Sequence, residues 1–269
     1  MNPKISIIGC GWLGFPLAKT LISHGFTIKG STTSKHRLKT LNEASIDGYM
    51  IQLNGTSIIG NYNDFLAGSD TVIINIPPGL RKNPNKNHVA EIRYLISAIE
   101  AQNIKNVLYI SSTSVFKDEV HFPVIANDTV PNGTSIVAKQ LVEIETIIKG
   151  HPKLNTTILR FGGLFDAHRH PGRYLSGKEN ILNPLAPVNL IHKADCINII
   201  LNIVQQNYWN YTFNAVYPQH PQKKEYYENY CKTYGLELPK YNLEQKSTGK
   251  IIDSSELVQL LNYNFEHGL

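Results

Sequence analysis

The apolar run Ile5-Ser6-Ile7-Ile8 stops at Gly9-Cys10-Gly11-Trp12-Leu13-Gly14, and no other stretch limits the possible folds so tightly. Beyond it, Phe15 to His24 places Leu17, Ala18, Leu21 and Ile22 on one helical face. Strand, glycine turn and helix therefore follow one another within two dozen residues. The spacing G-x-G-x-x-G has a mechanical reading: the first glycine makes the tight turn, the second admits a pyrophosphate, and the third lets helix pack on strand. The free N–H groups and positive dipole end of the helix then meet the phosphates. Gly9, Gly11, Trp12, Leu13 and Gly14 are accordingly expected to bind a dinucleotide. A glycine turn of some other α/β domain is the competing reading of the motif alone.

Strand-like runs recur downstream at Phe26–Gly30, Tyr49–Gln52, Asp70–Ile76, Asn106–Ile110 and Asn155–Phe161, separated by helical stretches near 87–102 and 134–149. That alternation predicts an α/β fold, a Rossmann-type doubly wound parallel sheet with right-handed crossovers. Val188–His192 reads as a further strand and Tyr211–Val216 as a late one. Asp195 is placed to cap the helix between them. The expected organisation is a dinucleotide-binding domain over 1–165, drawing also on about 188–216, and a smaller C-terminal substrate lobe over 166–187 and 217–269.

The end of the second strand decides between the two nicotinamide cofactors. An acidic residue there would hold the ribose 2′-hydroxyl of NAD. The chain instead offers Ser31-Thr32-Thr33-Ser34-Lys35, with Arg37 beyond, and hydroxyls beside cations suit a 2′-phosphate. NADP(H) is therefore preferred over NAD(H), although Ser34 also suits a helix N-cap. Ile76-Pro77-Pro78 closes another strand with a rigid loop expected over the cofactor crevice.

Two further stretches carry polar chemistry. Ser111-Ser112-Thr113-Ser114 lies at the carboxyl end of a central strand, where ligands of open sheets bind, although a plain serine turn would read the same. Gly162 to Tyr174 reads as a loop holding His168, Arg169, His170 and Arg173, with arginines suited to phosphate or carboxylate recognition. Its histidines lack the carboxylate spacing of a metal site, and no metal is expected. Three separated cysteines, Cys10, Cys196 and Cys231, read as reduced structural thiols. The net charge of +5 is scattered rather than clustered, so neither nucleic acid nor membrane is an expected partner, and the chain reads as cytoplasmic.

Gly9-x-Gly11-x-x-Gly14, Tyr109-Ile110-Ser111-Ser112-Thr113-Ser114-Val115-Phe116, Leu159 to Phe165 and Val188 to Asp195 together resemble the short-chain dehydrogenase/reductase superfamily. The likeness is to its extended, NAD(P)-dependent epimerase/dehydratase-like branch, and to atypical members of it. The resemblance implies that Ser112 polarises substrate, that Lys139 holds the nicotinamide ribose, and that the Y-x-x-x-K tyrosine falls at position 135. That position holds Ser135. A phenol starts near pKa about 10 and can be tuned toward neutrality, whereas an aliphatic hydroxyl is too weak an acid for the tyrosine's role. His168, His170 and Tyr174 are the substitute proton donors. The expected function is an NADP(H)-dependent oxidoreductase or epimerase-like enzyme acting on a polar, anionic small molecule. The alternative is a non-catalytic NADP(H)-binding sensor or regulatory protein. The resemblance also implies a homodimer through the helices after strands four and five. Ile136, Ile144 and Ile147 fit that face, and equally an inward one.

Overall fold

The computed structural model describes residues 2–269. In chain order its elements are β1 (Lys4–Ile8), α1 (Gly14–Ser23), β2 (Thr27–Thr32), α2 (Lys35–Glu43), β3 (Asp47–Met50), β4 (Gln52–Leu53), β5 (Ile58–Ile59), α3 (Tyr62–Leu66), β6 (Thr71–Ile74) and α4 (His88–Ala101). There follow β7 (Asn106–Ser112), a 3₁₀ turn (Thr113–Val115), β8 (Val124–Ile125), α5 (Ile136–Lys149), β9 (Asn155–Phe161), β10 (Gly163–Phe165) and α6 (Pro171–Leu175). The chain closes with β11 (Leu190–His192), α7 (Lys193–Gln205), β12 (Thr212–Ala215), α8 (Lys223–Thr233), β13 (Ile251–Ile252) and α9 (Ser255–Leu261).

Seven strands form one sheet in the order β12-β9-β7-β6-β1-β2-β3. The β3–β2, β2–β1, β1–β6 and β6–β7 pairs are parallel. The bonds Ile158 N–H to Tyr211 O and Gly162 N–H to Ala215 O advance by the same step along both strands, so β9 and β12 run parallel too. This is the expected doubly wound Rossmann-type sheet. Ile7, Ile73 and Leu108 lie opposite one another across three strands and are wholly buried, each contributing about 1.5–3 kcal/mol. All four residues of β6 are buried, which is why that strand reads as a continuous apolar run. The strand order reverses between β1 and β6, the point at which such sheets bind ligands beyond their carboxyl ends.

The chain packs as two compact units. One runs through Ser112 and takes in Ser135–Leu159 and Ile197–Thr212; the other comprises Thr113–Thr134, Arg160–Cys196 and Phe213–Leu269. Within the second, β8 and β13 pair in parallel, and buried Lys250 donates to the Phe116 carbonyl at 2.9 Å and pairs with Asp118 at 2.6 Å. No helix among the described residues is long and apolar enough to cross a membrane.

Three local expectations are corrected. The Gly162–Tyr174 segment is not a loop: β10 pairs in parallel with β11, Gly163 opposite Leu190 and Phe165 opposite His192, and α6 starts at Pro171, where a missing N–H costs nothing. Asp195 is no cap, because it lies inside α7 and its Oδ1 accepts from the Tyr263 hydroxyl at 2.7 Å and the Glu266 N–H at 2.9 Å. Ser34 precedes α2, but its hydroxyl makes no capping bond; its own N–H donates to Thr32 Oγ1 at 3.1 Å.

Candidate functional site

The turn after β1 divides its work among three glycines. Gly9 has φ +99°, and a Cβ there would meet the Asn75 carbonyl at 2.4 Å. Gly14 starts α1 so close beneath the turn that a Cβ would lie 2.2 Å from the Gly9 carbonyl. Gly11 differs: a Cβ there would meet nothing within 4 Å. The first and last glycines are thus fixed by the fold and the middle one faces open space, the distribution that a pyrophosphate cradle requires. Asn75, beyond β6, clamps the turn by donating its amide to the Gly9 carbonyl at 3.0 Å while its N–H donates to Ile8 at 2.9 Å. Leu13 precedes α1 without a side-chain cap; Phe15 N–H already donates to the Gly11 carbonyl at 3.1 Å and Pro16 has no N–H, so in the first turn it is the Gly14 N–H that is left for an anion.

A cavity of about 450 Å³ opens at this turn. Gly9, Gly11, Ser31, Thr32, Thr33, Ser34, Arg37, Ile76 and Pro77, all expected cofactor residues, line it. Trp12, Leu13, Gly14, Lys35 and Pro78 lie in the same segments but outside that lining; Leu13 and Gly14 are buried. The hydroxyls at the end of β2 are not equivalent. Ser31 accepts from the Gly9 N–H at 2.9 Å and so holds the turn, while Thr32 accepts from Ser34. Arg37 is exposed in the first turn of α2, and among the described residues no carboxylate pairs with it. Burial pushes the Cys10 thiol in this wall up to about 12, so it is an inert packing group. Sequence reasoning missed Asn75, which clamps Gly9 from sixty-six residues away, and Ile51, Gln52, Leu53, Lys86 and Glu91, which only the fold brings to the same cavity as the glycine turn.

Ser112 ends β7, half-buried, beside Ser111, whose hydroxyl donates to buried Glu145 at 2.5 Å. Ser135 is the N-cap of α5 and accepts from the Ala138 N–H at 3.1 Å. One turn on, Lys139 is exposed, and Glu143 pairs with Arg93 of α4 at 3.0 Å. The Ser135 hydroxyl therefore serves the helix end, while Lys139 lies exposed on the same helix.

The second unit holds the remaining candidates. Gly172 N–H donates to His170 Nδ1 at 3.0 Å, which puts the proton of the neutral ring on Nε2, 2.9 Å from the Tyr226 hydroxyl. The ring stacks on Tyr230 with centroids 3.8 Å apart. Burial, aided by the Arg173 guanidinium, lowers the pKa of His170 to about 4. Arg173 donates to the Tyr230 hydroxyl at 3.2 Å and lies over Tyr234. Asp166 accepts from the His168 and Arg169 N–H groups and pairs with Lys193; despite desolvation, these donors hold its carboxyl below the usual range. Tyr174 is 77% exposed, with the Lys178 ammonium 4.1 Å from its ring centre. His170, His192, Tyr230 and His267 line a cavity of about 600 Å³ in this unit.

Fold and glycine turn together define an α/β protein with a Rossmann-type parallel sheet and a G-x-G-x-x-G turn at its switch point. Residues 4–118 match the model of the NAD binding domain of 6-phosphogluconate dehydrogenase. Protein YeeZ of Escherichia coli is 28% identical over 98% of this chain and 96% of its own length. Among solved structures, MoeE5 in complex with UDP-glucose and NAD superposes with TM-score 0.81 at 16% identity, covering 99% of this chain and 94% of that one. The UDP-glucuronic acid 4-epimerase of Bacillus cereus in complex with NAD gives 0.79 at 16% identity, with 98% and 92% covered. The fold is thus that of NAD-dependent epimerases and short-chain dehydrogenase/reductases, as the motifs led us to expect.

Proposed function

We propose that the chain binds NADP(H) at the Gly9–Gly14 turn and acts as an oxidoreductase or epimerase-like enzyme on a polar, anionic small molecule. The observation that carries the cofactor choice is the end of β2, where Thr33, Ser34 and Arg37 line the cavity and the strand end itself carries no carboxylate. A 2′-phosphate meets hydroxyl donors and a guanidinium there, whereas the diol of NAD would lack the acidic partner usual at the end of that strand. Gly11 gives the pyrophosphate room and Lys139 holds the nicotinamide ribose. The bound cofactor supplies the hydride-exchanging carbon; the chain binds, orients and supplies the proton. Ser112 polarises the substrate. The solved neighbours that hold UDP-glucose support an anionic substrate of the nucleotide-sugar kind.

Ser135 does not supply the proton in this reading, because its hydroxyl is a weak acid already engaged as a cap. His168 and Tyr174 are the substitutes. His170 is the poorest of the three, since both ring nitrogens are engaged. The same capping role favours the second reading, a dinucleotide sensor without turnover. Thermal shift with NADPH and NADH tests the first step. The expected result is a larger stabilisation by NADPH, reduced to that of NADH in Arg37→Ala. No shift with either would overturn the proposal. Turnover of carbonyl substrates that Lys139→Ala abolishes favours the enzyme; tight binding without turnover across a broad panel favours the sensor.

A further inference from the structure

The cavity at the glycine turn continues into a second one of about 780 Å³, and the two share Thr33, Gln52, Leu53, Lys86 and Glu91 as lining. Ile51, Leu53, Ile76 and Pro77 give the first cavity apolar walls. One carboxyl group interrupts them. Glu91, in the first turn of α4, has a side chain only 3% exposed and still lines both cavities.

A carboxylate so nearly buried is costly unless paired. Its pairing is one-sided: Lys86 Nζ at 2.9 Å and His88 Nδ1 at 2.8 Å both address Oε2. Oε1 is left as the acceptor for whatever occupies the cavity. His88 is itself wholly buried, and Gln140 of α5 fixes the backbone on either side of Asn87. Gln140 accepts from the His88 N–H at 2.8 Å and donates to the Lys86 carbonyl at 3.0 Å. Four side-chain and backbone bonds therefore hold one carboxylate oxygen at the edge of an apolar slot.

A flat ring fits such a slot, and the oxygen requires that the ring carry an N–H donor. On a dinucleotide of the kind proposed above, on which this inference rests, the adenine ring carries its N–H hydrogens on the 6-amino group alone. We infer that Glu91 is the residue that reads the adenine ring, with Oε1 accepting from the 6-amino group. Lys86, His88 and Gln140 are positioning residues, acting through the carboxylate.

The test is equilibrium binding followed by nicotinamide fluorescence, comparing NADPH with its deamino analogue, whose hypoxanthine ring carries a 6-oxo group. Wild-type protein is expected to bind the analogue at least about tenfold more weakly, because a charged hydrogen bond is lost and two acceptors face each other. In Glu91→Gln the side-chain amide can donate to the 6-oxo group, so the preference should shrink to within about threefold or invert. A purely structural Glu91 would weaken both ligands alike. Equal binding of the two by the wild type overturns the inference and leaves the dinucleotide reading standing; binding of neither overturns that reading itself. The wild-type comparison decides even where the variant fails to fold.

Discussion

The glycine turn with the end of β2, and the histidine–tyrosine cluster around α6 and α8, are both rich in polar groups and lined by a cavity, yet they spend those groups in opposite ways. At the turn the backbone does the shaping: a side chain at Gly11 would meet open space, and Arg37 of α2 is exposed beside the cavity. In the cluster, His170, Tyr226, Tyr230 and Arg173 satisfy one another through stacking and hydrogen bonds. Unused donors mark a place built for a ligand, and mutually satisfied ones mark a place built to hold its own shape.

The sharpest way to break that contrast lies among the glycines themselves. Gly14→Val forces side-chain atoms onto the Gly9 carbonyl, where even a Cβ would sit at 2.2 Å, and should cost at least about 3 kcal/mol or prevent folding. Gly11→Ala, three residues earlier in the motif, adds its methyl to open space. It should leave the melting temperature of the free protein within about a degree while weakening NADPH binding at least about tenfold. A melting temperature lowered as much by Gly11→Ala as by Gly14→Val would mean that both positions are packing glycines and that the open cradle is illusory.

The cluster should respond to pH instead of to cofactor. His170 is held to a pKa of about 4, chiefly by burial, against an ordinary 6.5. Between those values the unfolded chain binds the proton more readily than the folded one, so the stability contribution is complete above about pH 6.5 and is lost as the pH falls toward 4. Partial solvent screening reduces the loss to about 1–2 kcal/mol. Denaturant titrations of wild type and His170→Gln at pH 7 and pH 4.5 read it as a difference in slope with pH, with NADPH affinity at pH 7 unchanged by the substitution. A variant that keeps the full acid sensitivity would assign the loss to other groups.

The two regions also differ in how far the sequence discloses them. The turn was legible because its chemistry is local: Ile5–Ile8, the three glycines and the stripe of α1 are contiguous, and only one backbone path joins them. The cluster was not, because β10 exists only through pairing with β11, some two dozen residues on, and no periodicity within three residues announces a strand. β8 and β13 are two-residue strands more than a hundred residues apart in sequence, and 113–134 belongs to the second unit through contacts that chain order does not contain. Asn75 was illegible for the same reason, since a strand-end asparagine is ordinary until Gly9 is seen against it; Glu91 pairs with Lys86 and His88 nearby, and it is its burial beside the cavity that sets it apart.

The smallest effect makes the finest test, because it compares two serines in the same apparent role. Ser34 precedes α2 and Ser135 precedes α5, and both have the extended backbone of an N-cap. Only Ser135 closes a bond, to the Ala138 N–H. Ser135→Ala should therefore cost about 1 kcal/mol of stability, since a first-turn N–H loses its acceptor. Ser34→Ala should cost a few tenths at most, since the hydroxyl caps nothing. Its effect should appear in ligand binding, as a loss of NADPH affinity of about threefold with NADH unaffected, the size of one hydrogen bond to a phosphate partly replaced by water. Equal destabilisation by the two substitutions would return Ser34 to a structural role and leave Arg37 alone to choose the cofactor. The expected inequality would instead mean that two serines with the same local geometry are divided by what faces them, a helix end in one case and a cavity in the other.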